Sequence, residues 1–262
     1  MTAAKRIARR VGDVNDLAGY LAAIHGALNG EMEALFRGHR DVNWKLIPAV
    51  ARQHLTVSPQ GEAAMLEEFK RRALPYLDSA HDLRDSDWLA IAQHQGMPTR
   101  LLDWSGSALT ALWFAINEPA PGNSGAAVWI LAYDANDLMS EKEREQPLGV
   151  RRTVLVRPRH VTRRITAQDG WFTLHRSHWG DDESPQFVAL ETNLDYKKKL
   201  FYVTIPHDAF GAMRMQLAQA GVTSAVLFPD LAGVASYVAW SHLYREDELV
   251  PRFPGTGVRS DA

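Results

Sequence analysis

The residues from Ala126 to Tyr133 form an unbroken apolar run of strand length, ended by Asp134. A strand with no polar face needs cover on both sides, so this run demands a central strand between two packed layers. The surrounding pattern supplies candidates for those layers. Leu17, Tyr20, Leu21, Ile24 and Leu28 recur at helical spacing, which predicts a helix over 14–28 with Asp13 or Asn15 as its cap. A short strand ending at a turn is expected over 34–38, and further helices over 61–77 and 87–94. The Ala- and Leu-rich stretch 107–117 is apolar nearly all round, so it reads as a buried helix. Strands are expected at 153–156, 171–174, 200–205 and 225–227, with a helix over 206–220 stopped by Gly221. The charged stretch 141–145 reads as an exposed loop. Helices dominate the first part of the chain, and strands with intervening helices dominate the rest. That order predicts an α+β fold: a mixed central sheet with N-terminal and flanking helices.

Composition narrows the class. The chain has 262 residues, 46% hydrophobic and 23% charged, which suits a sizeable core. No repeat or linker divides it, so one domain is expected over 1–250, with a frayed tail at 251–262. No apolar run is long enough to span a membrane, and the basic start lacks the apolar stretch of a secretion signal. A cytoplasmic protein without membrane contact is the expectation. The absence of cysteine excludes disulfides and thiolate chemistry, and fits a reducing compartment. A net charge of -2 gives no global drive toward nucleic acid.

Two polar segments stand out. Phe36-Arg37-Gly38-His39-Arg40-Asp41 gathers two arginines, a histidine and a carboxylate. Glycine there lets the backbone turn or approach a ligand, while Arg37 presents a guanidinium fork suited to phosphate or carboxylate. The bland reading is a turn in which Arg37 pairs with Asp103 or another buried carboxylate. The second segment runs from Gln93 to Ser105 between two apolar helices, broken by Gly96 and Pro98. It reads either as a ligand-facing edge or as a capping loop. In the capping reading Ser105 or Ser107 starts the next helix, and Arg100 neutralises Asp103.

Together these segments resemble the FRG domain, named for the Phe-Arg-Gly at its start. The matching residues are Phe36, Arg37, Gly38, His39, Trp44, Leu46, Pro48 and Arg52. The match resumes at Gln93, His94, Gly96, Pro98, Thr99, Arg100, Leu101, Leu102, Asp103 and Trp104, then at Ala111, Leu112, Phe114 and Ala115. With 168–172 and 227–231 the resemblance spans about residues 28–237. A weaker resemblance, to arginine-type ADP-ribosyltransferases, implies an ADP-ribosyltransferase-like fold. It also implies that Arg37 and its neighbours hold the pyrophosphate of NAD, and that Thr99 fixes the nicotinamide ribose. A carboxylate would then stabilise the oxocarbenium-like transition state. The chain departs from that pattern at Arg100 and Leu101, where small hydroxyl residues are expected. Its third position falls on neutral Gln168 or acidic Glu191.

The resemblances imply catalytic candidates Arg37, Thr99, Gln168 and Glu191. Around them, Gly38, His39, Arg52, His94, Arg100, Asp103 and Trp104 are candidates for holding the nucleotide. The activity implied is that of an NAD-dependent ADP-ribosyltransferase or NAD-cleaving effector of a defence or toxin system. The alternative is a non-catalytic module that senses a nucleotide or nucleic acid through Arg37 and the basic stretch 151–164. That stretch reads more readily as a solvated sheet edge, its basic residues discouraging edge pairing. A third reading makes the motifs purely structural. His175 and His178, with Asp181, Asp182 and Glu183 behind them, read as a solvated turn rather than a metal site. Trp44 and Trp104 are candidate stacking surfaces.

Overall fold

In a computed structural model of the chain, the described residues are 7–29, 33–52, 59–77, 82–119, 124–159, 163–179, 185–243, 245, 247 and 248. The tail at 251–262 lies outside them. The elements run β1 (Arg9–Asp13), α1 (Leu17–Leu28), β2 (Ala34–His39), α2 (Ala49–Arg52), α3 (Pro59–Ala73), α4 (Asp85–His94), β3 (Leu101–Ser105), α5 (Ala108–Ile116) and β4 (Ala126–Ala132). Next come α6 (Glu141–Glu145), β5 (Val154–Val156), α7 (Arg163–Ala167), β6 (Gly170–Leu174), β7 (Ser177–Trp179) and β8 (Pro185–Phe187). The last are β9 (Leu200–Ile205), α8 (Phe210–Gln219), α9 (Ser224–Leu227) and α10 (Leu231–His242).

The fold is α+β. A mixed seven-stranded sheet has the order β1-β9-β4-β2-β3-β6-β5, with β7 and β8 forming a separate hairpin. Within it, β1 and β9 pair in parallel and the other neighbours are antiparallel. β4 lies between β2 and β9 with all seven residues buried, as its unbroken apolar sequence requires. On one face, Tyr20 and Ile24 of α1, Leu112 and Ile116 of α5, and Phe210 and Met213 of α8 pack over Phe36, Val128, Ile130 and Val203. On the other face, Leu35, Trp129 and Leu131 meet Leu102, Trp104, Leu155 and Trp171. The β5, β6 and β3 half has its own helical cover, in which Leu66 of α3 and Trp88 and Leu89 of α4 lie over Val154, Phe172 and Leu174.

The join between the halves positions the site. β2 and β4 stay in register over six residue pairs, whereas β2 and β3 are paired only at Phe36 and Ser105. Beyond that pair the two strands part, and the side chain of Arg37 enters the split.

Several expectations need correction. Asp16, not Asp13 or Asn15, caps α1, its carboxylate accepting from Gly19 N at 2.7 Å. The stretch 141–145 is a helix rather than a loop, because Ser140 and Glu143 close a capping box at its start. Residues 225–227 form part of the short helix α9, not a strand. The basic segment at residues 9 and 10 opens an edge strand, and α10 answers no expected element.

Candidate functional site

Strand alternation sends Leu35, Arg37 and His39 to one face of β2 and Phe36 and Gly38 to the other. Gly38 is therefore not at a turn: it sits in mid-strand opposite Val128. A β-carbon there would lie 2.1 Å from the Ala111 carbonyl oxygen and 2.6 Å from Ala115 N. Gly38 is required by the close approach of α5, which occupies the side where a ligand was expected.

Arg37 bridges the split. Its Nη1 donates to the Asp103 carbonyl oxygen at 2.5 Å and stands 3.6 Å from Asp103 Oδ2. Its Nε donates to His39 Nε2 at 3.0 Å, and Trp129 Nε1 lies 3.2 Å from His39 Nδ1. The Arg37 side chain is 15% exposed and that of Asp103 is 55% exposed. Burial pulls the guanidinium down to about 10, Asp103 opposes this, and the charge of Arg52 pulls in the same direction. The pairing of Arg37 with Asp103, expected as the bland reading, is present, but the carboxylate faces solvent.

Asp103 leads on to α4. Gln93 Nε2 donates to its carboxylate at 3.3 Å, and Thr99 Oγ1 donates to Gln93 Oε1 at 2.8 Å. The Thr99 hydroxyl also accepts from Leu101 N at 3.0 Å and is buried. Its one proton is committed, so Thr99 acts on the site through Gln93 rather than by its own hydroxyl. His94 is half-buried at the end of α4; burial and the charge of Arg164 lower its pKa, while Asp103 raises it.

Other expected members stand elsewhere. Arg100 does not neutralise Asp103 and does not face a ligand: it is buried and paired with Glu62 of α3 at 2.8 and 2.5 Å. Trp104 is 3% exposed, and its Nε1 donates to Thr173 Oγ1 at 3.0 Å, so it offers no stacking face. Gln168 donates to the Leu227 carbonyl at 3.1 Å and is fastened to α9. Glu191 is buried, and its carboxylate accepts from Leu46 N at 2.9 Å, which pins the segment after β2. Neither brings its side chain to Arg37; the carboxylate that stands there is Asp103. Arg52 is exposed at the end of α2. Trp44 keeps an open ring, with the Arg40 guanidinium 5.5 Å over it.

His175, expected in a solvated turn, is fully buried. It extends the face of β6 marked by Trp171 and Thr173, and that alternation is its signal in the sequence. Its Nδ1 lies 3.1 Å from the Val188 carbonyl and its Nε2 3.1 Å from Thr173 Oγ1. The His178 side chain and residues 181–183 lie outside the described residues, and no metal-holding group is found among the described residues. The basic stretch is largely occupied. Arg152 pairs with Glu143, Arg159 with Asp87 and Arg164 with Asp230, while Arg157 covers the Trp171 ring at 5.2 Å. His160 and the Arg163 side chain lie outside the described residues. No helix among the described residues is long and apolar enough to cross a membrane.

Comparison with known proteins matches residues 32–124 to the family model of the FRG domain, from just before β2 to just before β4. No curated protein and no solved structure matches the chain.

Proposed function

The chain is an FRG-domain protein, and from that premise we propose that its motifs form a nucleotide site that takes NAD. In this reading Arg37 receives the pyrophosphate and Asp103 faces the ribose. The observation that carries it is the state of Arg37. This cation is largely buried between two sheet halves and has one carboxylate beside it, which faces solvent. Arg52 adds positive charge nearby. An incoming phosphate would offset the cost of that burial and accept from the guanidinium fork. Asp103 stands where it can favour positive charge developing at the ribose as the bond to nicotinamide breaks. Water or a target side chain would then supply the oxygen that replaces nicotinamide and release its proton.

Calorimetric titration with NAD and ADP-ribose, with nicotinamide release followed by chromatography, tests this directly. Arg37→Gln should weaken binding by about tenfold or more, whereas Asp103→Asn should keep binding and lose release. No binding, no release and no transfer of label from NAD to cell extract would sink the proposal. Binding without turnover would make the domain a nucleotide sensor, which the internal commitment of the Thr99 hydroxyl favours. An NAD-consuming effector would also fit a toxin or defence role, visible as a fall in cellular NAD on induction.

A further inference from the structure

A cavity of about 680 Å³ lies between α5, α8 and α10, and neither Arg37 nor Asp103 lines it. Its size is that of a small-molecule site. Two aromatic groups form its walls. Trp113 and Phe114 of α5 meet Phe228 with ring centroids 5.7 and 6.0 Å apart, and Tyr237 and Trp240 of α10 stack at 6.3 Å. These side chains are neither fully buried nor fully exposed, so their faces border open space.

Cations share the cavity with them. Arg40 pairs with Glu118, Arg164 donates to Asp230 at 2.7 Å, and Arg214 donates to Glu248 at 2.6 Å and to Asp247. Arg245 differs. Its backbone N donates to Glu248 Oε2 at 3.5 Å, but its guanidinium donates to the Asn117 carbonyl, and no carboxylate forms an ion pair with that guanidinium among the described residues. Burial and the charge of Arg214 disfavour its charged form, and the charges of Asp247 and Glu118 offset this only in part. A guanidinium without a paired carboxylate, beside flat aromatic faces, suits a ligand with a planar ring and an anionic group.

We infer that this cavity is a second binding site, for a free mononucleotide whose base lies against the Trp113–Phe228 and Tyr237–Trp240 faces and whose phosphate meets Arg245. The site is independent of the NAD reading. Base stacking on aromatic side chains tolerates different bases, so the phosphate is the discriminating group.

The test is calorimetric titration of the full chain with AMP, GMP, CMP and UMP, with adenosine, with inorganic phosphate and with a short single-stranded oligonucleotide. A mononucleotide should bind more tightly than adenosine or phosphate alone. Arg245→Gln should weaken it by about tenfold while leaving adenosine unchanged, and Arg245→Lys should restore part of the loss. Trp240→Leu should weaken nucleotide and adenosine alike, which keeps the test decisive if Arg245→Gln fails to fold by circular dichroism. The Arg37→Gln protein, whose motif site is disabled, should retain this binding. The inference is overturned if no mononucleotide saturates the protein or if only the oligonucleotide binds. It is equally overturned if Arg37→Gln abolishes the binding that Arg245→Gln and Trp240→Leu leave intact.

Discussion

The His175 ring is sealed in the core, and both its nitrogens are engaged. With Nδ1 donating to the Val188 carbonyl, Nε2 accepts from the Thr173 hydroxyl, whose oxygen accepts from Trp104. Burial drives its pKa from 6.5 down to about 4; the Val188 carbonyl opposes this and the Arg37 charge adds to it. The unfolded chain therefore takes up a proton near pH 6.5 that the folded chain refuses until about pH 4. Stability from this group is intact above pH 6.5 and is lost as the pH falls toward 4, by about 3 kcal/mol in all. Urea denaturation between pH 7.5 and 4 should show the wild type losing more stability than His175→Gln, by roughly that amount. Parallel curves would show that the ring does not titrate this way. In the sequence the alternation of Trp171, Thr173 and His175 is the one sign of its burial, and the polar Arg176 and Ser177 beside it make the histidine read as solvated. Arg37 and Asp103 are legible as partners because both lie in recognisable motifs. α4 ends at His94 as its spacing predicts, but the Gln93–Asp103 and Gln93–Thr99 bonds depend on how the segment after it folds back, which spacing does not give.

At the scale of elements, the Phe-Arg-Gly segment is a packing device as well as a site. Gly38 lets α5 lie directly on β2, and Ala111 and Ala115, one turn apart, present their backbone to it. An added methyl would strike the Ala111 carbonyl oxygen and Ala115 N, which cannot move without shifting the helix. Gly38→Ala should thus cost about 3 kcal/mol or more, read as a fall in melting temperature. Ala115→Gly should not rescue it, since the obstructing atoms are backbone. A Gly38→Ala protein of unchanged stability would return the glycine to a ligand-facing role. The elements that sequence predicts correctly are those with one clear driving force: β4 from its apolar run, and α8 from the stop at Gly221, where φ is +83°. α9 departs from the expected strand because four residues carry too little periodicity to separate a helical turn from a strand. α10 escapes sequence reading because Leu231, Val234 and Val238 are exposed while Gly233 and Ser241 are buried, the reverse of an ordinary amphipathic helix.

Across the molecule, the two parts of the sheet meet at one residue pair, so their relative placement depends on side chains on either side of the split. Arg37 ties β2 to β3 from within, and the shared cluster of Leu35, Trp129, Leu102 and Trp104 fills the face beneath. Arg100 acts from the other side. Its guanidinium forms two bonds to Glu62 and a third to the Leu148 carbonyl, at 3.1 Å, fixing α3 and the segment before β5 to the start of β3. Thr99 is the adjacent residue, so this buried pair also sets the strand start from which the Gln93 and Asp103 contacts are built. Removing one partner strands a charge away from water. Glu62→Leu or Arg100→Met alone should cost about 3–5 kcal/mol, whereas the two together should recover most of that loss. A double-mutant cycle by chemical denaturation measures the coupling. If the pair only stabilises, the recovered double variant should bind nucleotide as the wild type does. If it also sets the strand start, the double variant should be stable and yet weak in binding at the Arg37 site, because Thr99 and Asp103 flank the altered residue on the same short segment.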